Sequence, residues 1–329
     1  MSTALMSHTG DTAVGRALSW SALPPGERKR RAVAACRARD TATLQEIMDA
    51  WLTLAGDAGA TVSPHTRRNY RHGVKTLVAA WTQENLLRPR ADAARAWLRS
   101  MEATGLKPAT IRVHLAAAKA LYAGLRWCKA TEVDPFVDTR AAKDRTQAKD
   151  KRRPYEVDEL TTLLAALDTT VDTALPAART MARYDRVLLL LGAHAGLRAS
   201  EMMDLRWRDV DLERRRIVVQ NGKGGKKRGV IMSSSLAAAL GAIPAEMRGE
   251  HVLPYRSRGA AWYRMKRLTD QAGIEGGLHR LRHSAGTRMM RETHDLREVA
   301  ELLGHSSVET ARVYSQWADD TQRAIVGKW

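Results

Sequence analysis

Cysteine is scarce: Cys36 and Cys128 are the only two in the chain. They exclude a disulfide framework and a four-cysteine zinc site, and they suit a reducing, intracellular setting, here expected to be cytoplasmic. Long apolar runs are lacking as well. The longest, Val187 to Ala193, falls far short of the roughly 18 residues that a spanning helix needs, so a soluble protein without a membrane partner is expected. The N-terminal stretch is broken by His8, Asp11 and Arg16 and holds no continuous apolar core, which argues against a secretory signal. No repeat with a period of about 20 to 50 residues is visible. Acidic residues are the other deficit: 36 Asp and Glu stand against 54 Lys and Arg, a formal charge of +18. Such an excess points to a polyanionic partner, nucleic acid before any other.

At 329 residues the chain can bury two cores, since single domains usually hold about 100 to 200 residues. Residues 1–40 combine small polar residues, the Pro24-Pro25-Gly26 break and the basic run Arg28-Lys29-Arg30-Arg31, and they read as a basic, mobile arm. Over 41–138 four amphipathic helices are predicted. The first carries Leu44, Ile47, Met48, Trp51 and Leu52; the second opens at Ser63-Pro64 and buries Val74, Leu77, Val78 and Trp81. A third runs from about Asp92 to Ala103, and a fourth, from near Pro108, carries Ile111, Leu115, Tyr122 and Leu125. Arg67, Arg68, Arg71 and Lys75 on the second, with Arg112, Lys119 and Arg126 on the fourth, are almost all of one sign. DNA phosphates are their expected partners, with plain solvation as the alternative. Residues 139–154, including Lys151, Arg152 and Arg153, have no apolar period and predict a basic linker that can also cross a DNA backbone.

The remainder, 155–329, alternates types. Helices are predicted from Val157 to Leu167 and from Arg183 to His194, and a short one ends at Trp207. A hairpin follows: Ile217-Val218-Val219 leads in, Gly222-Lys223-Gly224-Gly225 turns, and Val230-Ile231 leads out. Helix resumes after Arg258. The fold class is therefore mostly α with a small antiparallel sheet.

Five features of this half carry chemistry. In Gly196-Leu197-Arg198-Ala199-Ser200-Glu201, Arg198 lies at the mouth of a helix that Ser200 can cap, well placed for an anion, with Glu201 one turn on to hold it. Lys223 rides the hairpin tip, with Lys226 and Lys227 as competing choices. In Gly277-Leu278-His279-Arg280-Leu281-Arg282-His283, three side chains, His279, Arg282 and His283, share a helix face. Leu302-Leu303-Gly304-His305 ends the next helix, and Tyr314 stands nine residues past His305. Zinc on His279, His283 and His305 is a poor alternative, because Arg282 would sit in a cationic centre lacking a carboxylate. Asp209, Asp211 and Glu213 offer a second alternative, a two-metal nuclease, although such loop acids are usually just solvated.

Taken in order, Arg198, Lys223, His279 with Arg282, His305 and Tyr314 resemble the active site of the tyrosine recombinase (phage integrase) family. The neighbouring residues match too: Gly-Leu-Arg-Ala-Ser-Glu followed by Leu205-Arg206-Trp207-Arg208-Asp209, His-Arg-Leu-Arg-His from His279, and Leu-Leu-Gly-His-Ser-Ser before Thr310-Ala311-Arg312-Val313-Tyr314. The resemblance covers about 155 to 320 at motif level and 43–130 only in layout. It implies a helical core-binding (SAM-like) domain and a catalytic domain that clamp double-stranded DNA. It also implies that Tyr314 is the nucleophile of a 3′-phosphotyrosyl intermediate, with Arg198 and Arg282 on the phosphate, Lys223 as the acid for the leaving oxygen, and His279 and His305 assisting. Glu201 and His283 would be supporting residues. No cofactor, metal or ATP is implied. Four protomers would join two sites and exchange strands through a Holliday junction, alone or with a second recombinase or an accessory DNA-bending protein. The tail after Tyr314, with Ile325, Val326 and Trp329, would dock on a neighbour. An Xer-like role in chromosome dimer resolution and a role in mobile-element integration both fit. The rival readings are a monomeric type IB topoisomerase and a catalytically silent DNA-binding protein.

Overall fold

The computed structural model describes residues 12–57, 59–142, 153–220, 227–255, 257–305 and 308–315. The chain divides after Arg145 into two compact units, each with its own buried apolar core. Lys151 and Arg152, with most of the expected linker, lie outside the described residues.

The first unit is helical: α1 (Ala13–Ala22), α2 (Pro25–Ala38), α3 (Thr41–Leu54), α4 (Pro64–Ala80), α5 (Ala93–Ala103) and α6 (Pro108–Trp127). Local chemistry sets the starts. The Asp40 carboxylate accepts from the N–H groups of Ala42 and Thr43 at the head of α3. Ser63 Oγ accepts from the Thr66 N–H while Pro64 takes the first helical position, where its missing N–H is no loss. Leu44, Ile47 and Met48 of α3, Leu77 of α4 and Ile111, Leu121 and Leu125 of α6 share the core. Buried Tyr122 donates its hydroxyl to the Leu86 carbonyl at 2.8 Å.

Two expectations for this unit need correction. Residues 13–38 are not a mobile arm. They form α1 and α2, and Ala17, Trp20, Ala32, Ala35 and Cys36 bury one face of each against the rest of the unit. The proline pair that looked like a break instead opens α2, with Pro25 at its first position. The basic run has partners within the unit as well: Arg30 and Arg31 pair with Glu27, and the Arg28 guanidinium lies 4.4 Å from the Trp127 ring centre. The four helices expected over 41–138 are present as α3 to α6, and α1 and α2 add two more to the bundle.

The second unit holds α7 (Val157–Thr173), α8 (Pro176–Ala193), α9 (Ala199–Asp204), α10 (Ser234–Gly241), α11 (Arg258–Gln271), α12 (Leu278–Thr293), α13 (Leu296–Leu303) and α14 (Arg312–Ser315). Three short strands, β1 (Val210–Asp211), β2 (Arg216–Val219) and β3 (Arg228–Ile231), form an antiparallel sheet in that order, with Val218 opposite Gly229. The observed class is the expected one, mostly helical with a small antiparallel sheet. Helix α8 is the central post. Leu188, Leu189, Leu190 and Leu191 are buried all round it, as a helix apolar on every side must be, and α7, α10, α11 and α12 pack against it. No helix among the described residues is long and apolar enough to cross a membrane.

Candidate active site

The site gathers at the C-terminal end of α13. That helix ends at Gly304, in the left-handed conformation (φ 60°), and the next N–H, that of His305, donates back to the Ala300 carbonyl at 2.8 Å. The closure sets where the His305 ring begins and leaves the Leu303 and Gly304 carbonyls open to partners from other elements.

Two arginines take them. Arg282, on the second turn of α12, is 3% exposed; it donates through Nη2 to the Leu303 carbonyl at 2.6 Å and through Nη1 to the Gly196 carbonyl. Burial, and then the charge of Arg198, bring its guanidinium down to about 10, so it stays cationic at neutral pH. Arg198 reaches the Gly304 carbonyl at 3.4 Å through Nη2. Its own place is set by Glu201, whose side chain accepts from the Arg198 backbone N–H at 2.8 Å and from Arg198 Nη1 at 2.7 Å. Ser200 therefore does not cap α9. The helix starts two residues earlier, with Arg198 itself as the flanking position and Glu201 as the capping group.

Glu201 is a supporting residue as expected by resemblance, with one partner that sequence reasoning missed. Arg228 of β3 lays its fork on the same carboxylate, Nη1 to Oε1 at 2.9 Å and Nη2 to Oε2 at 2.8 Å. Burial alone pushes the Glu201 carboxyl up; the bonds from Arg228 and from the Arg198 backbone, and the Arg228 charge, outweigh it and hold the group at about 2. In the sequence Arg228 closes the run Lys226-Lys227-Arg228, which looks like any solvated hairpin flank. Only its pairing with a buried carboxylate distinguishes it.

Tyr314, in α14, is 2% exposed. Its ring centre lies 5.5 Å from that of His283 and 6.2 Å from that of His305, nearly parallel to the latter. Gly286 of α12 makes room for it, because a Cβ there would stand 2.6 Å from Tyr314 Cε1. His283 is buried beneath the ring, whereas His279 is exposed on the first turn of α12, with its ring 4.5 Å from that of His283 and perpendicular to it. Arg198, Arg282, His305 and Tyr314 are thus brought to one locus, with Glu201 and His283 behind them. Lys223, and Lys226 with it, lie outside the described residues.

Two of the three alternative acids, Asp209 and Asp211, are otherwise engaged. Asp209 is buried and accepts from Gln220 Nε2, and Asp211 accepts from the Arg214 N–H and pairs with its side chain. Among the described residues no three His, Cys, Asp or Glu side chains cluster closely enough to hold a metal ion.

The basic residues of the first unit divide into two sets. Arg67 and Arg71 pair with Asp49 of α3, and Arg126 pairs with Asp134. Arg68, Lys75 and Arg112 are exposed, and Lys119 is half-buried. Arg153, at the start of the second unit, approaches Glu159 at 3.7 Å.

Two guanidiniums gathered beside a buried tyrosine suit an anion of the phosphate-ester class. Comparisons with known proteins narrow it. The profile described as "Phage integrase family" matches residues 155–320, and "Phage integrase, N-terminal SAM-like domain" matches 58–129. Tyrosine recombinase XerC of Xanthomonas campestris pv. campestris (strain B100) is 32% identical over 267 residues, covering 77% of this chain and 79% of XerC. Among solved structures the fold is similar to that of XerH site-specific recombinase bound to its palindromic difH substrate (TM-score 0.63, 17% identity, 98% of each chain). It is similar also to a lambda integrase dimer bound to a COC′ core site (TM-score 0.64, 19% identity, 87% of this chain and 81% of that one). The chain belongs to the phage integrase family, the tyrosine recombinases, which are DNA strand-transferring enzymes.

Proposed function

We propose that this chain recombines DNA at specific sites, with Tyr314 attacking the scissile phosphate to leave a 3′-phosphotyrosyl bond and a free 5′-hydroxyl. The observation that carries the reading is the meeting of Arg198, Arg282, His305 and Tyr314 at the end of α13. A phosphodiester repels nucleophiles, and its transition state gains charge, so fixed cations aimed at the non-bridging oxygens lower the barrier. A planar guanidinium suits this work because it can grip two oxygens at once. His305 hydrogen-bonds the phosphate, and His279 assists proton transfer at the phenol. The phosphoester energy is kept in the tyrosyl bond, so religation needs no ATP and no cofactor.

Duplex DNA is the partner. The basic residues of the first unit, Arg68, Lys75 and Arg112 foremost among them, together with the linker that includes Lys151, Arg152 and Arg153, neutralise phosphates of the bound duplex. Four protomers on two sites carry out the exchange. The test is direct. DNA with two copies of the target site should yield recombinants, and gel filtration of the paired complex should show four protomers. Monomeric relaxation of any supercoiled plasmid, without recombinants, would instead favour a type IB topoisomerase.

For the leaving oxygen, Lys223 is the proton donor. Lys223→Ala should slow cleavage by roughly 10²- to 10⁴-fold, the usual worth of a general acid. A 5′-thio leaving group, which needs no proton, should restore the rate. Thio rescue of Lys226→Ala instead would move the role to that lysine.

A further inference from the structure

Resting on the strand-transfer reading above, we propose that Arg228 is a positioning residue for that reaction: by occupying the Glu201 carboxylate it keeps Arg198 available to the scissile phosphate.

The case is one of saturation. A carboxylate has about four lone-pair sites, and here four N–H groups fill them. Oε1 accepts from Arg198 Nη1 and Arg228 Nη1; Oε2 accepts from the Arg198 backbone N–H and Arg228 Nη2. The Glu201 side chain is 1% exposed, so water does not compete for these sites. Arg198 therefore gives the carboxylate a single side-chain N–H. Its Nη2 lies only loosely, at 3.4 Å, on the Gly304 carbonyl. Without Arg228 two sites would open, and the natural response of an Arg–carboxylate pair three residues apart is a two-pronged grip. Arg198 would then be drawn onto Glu201 and away from the substrate.

The surroundings support the assignment. Arg228 is held where this competition operates: its side chain is 12% exposed and its Cδ and Nε lie against Gly304 so closely that a Cβ there would come within 2.7 Å and 2.9 Å of them. Arg228 thus touches the residue just before His305 as well as the group that orients Arg198. It also opens β3, five residues past Lys223 in the sequence. Its charge adds to the field at the site, being among those that act on Arg282.

The test compares two substrates in single-turnover cleavage at saturating DNA. One carries the normal scissile phosphodiester. The other carries a methylphosphonate, which is neutral and so makes far less demand on Arg198. Arg228→Gln should lower the rate on the phosphodiester by about 10²-fold, as an ångström-scale misplacement of a catalytic group does, and should come within about threefold of the parent on the methylphosphonate, the span expected when only the charge grip on the phosphate is lost. Arg228→Lys, which keeps the charge but not the fork, should fall between. The ratio of the two rates is independent of the folded fraction, so partial misfolding of either variant leaves it readable. An equal defect on both substrates, or no defect on either, would overturn the proposal. If the parent protein forms no adduct on either substrate, the strand-transfer reading fails instead.

Discussion

Tyr314→Phe is expected to abolish the covalent protein–DNA adduct on nicked suicide DNA, a loss of at least about 10⁴-fold, as removal of other side-chain nucleophiles suggests. The substitution deletes one oxygen and keeps the ring. The ring itself packs against Gly286, His283 and His305, so the variant should still fold and bind DNA within a few-fold of the parent. Denaturing electrophoresis reads the adduct and a filter-binding titration reads the affinity. An adduct that persists in Tyr314→Phe would place the nucleophile elsewhere and remove the centre of the proposed mechanism.

The second large effect belongs to Arg282. Its guanidinium is asked to do two things: tie Gly196 to Leu303 across the unit, and present positive charge to the phosphate. Arg282→Ala would strand two carbonyls in a buried place, each at a cost of about 1 to 3 kcal/mol, and would confound catalysis with folding. Arg282→Lys separates them. The ammonium keeps the charge but cannot span both carbonyls and a phosphate oxygen, so cleavage at saturating DNA should fall by about 10³-fold, in the range reported for single transition-state donors and arginine fingers. Thermal unfolding should show a smaller loss than in the alanine variant. A rate within threefold of the parent would mean that charge alone suffices and the planar fork is dispensable.

Several parts of the molecule were legible in the residue string because they depend on local chemistry. Ser63-Pro64 announces α4 through a hydroxyl that caps and a proline that needs no N–H, and the leucines of α8 announce a helix buried on all sides. The order Arg198, His279 with Arg282, His305, Tyr314 was readable because each residue sits in a short motif. Helix α2 was not, since a basic run next to two prolines has the composition of a tail; what orders it is Ala32, Ala35 and Cys36 meeting the core, and Arg28 finding Trp127, both of which are long-range facts. Arg228 was hidden for the same reason. Its neighbours Lys226 and Lys227 share its charge, and nothing local says that Arg228 faces a buried carboxylate.

The sequence by itself determined the kind of residues available for catalysis, their order, the helical class and the cationic excess, because these follow from composition, periodicity and nearest-neighbour chemistry. Tertiary structure alone decided which of the many cations act together. It put Arg198 and Arg228 on one carboxylate, buried Arg282 between two carbonyls and covered Tyr314 beside His305. The physical reason is that the worth of a charge is set by what desolvates and pairs it, and the partners of these groups come from elements as far as 106 residues away along the chain.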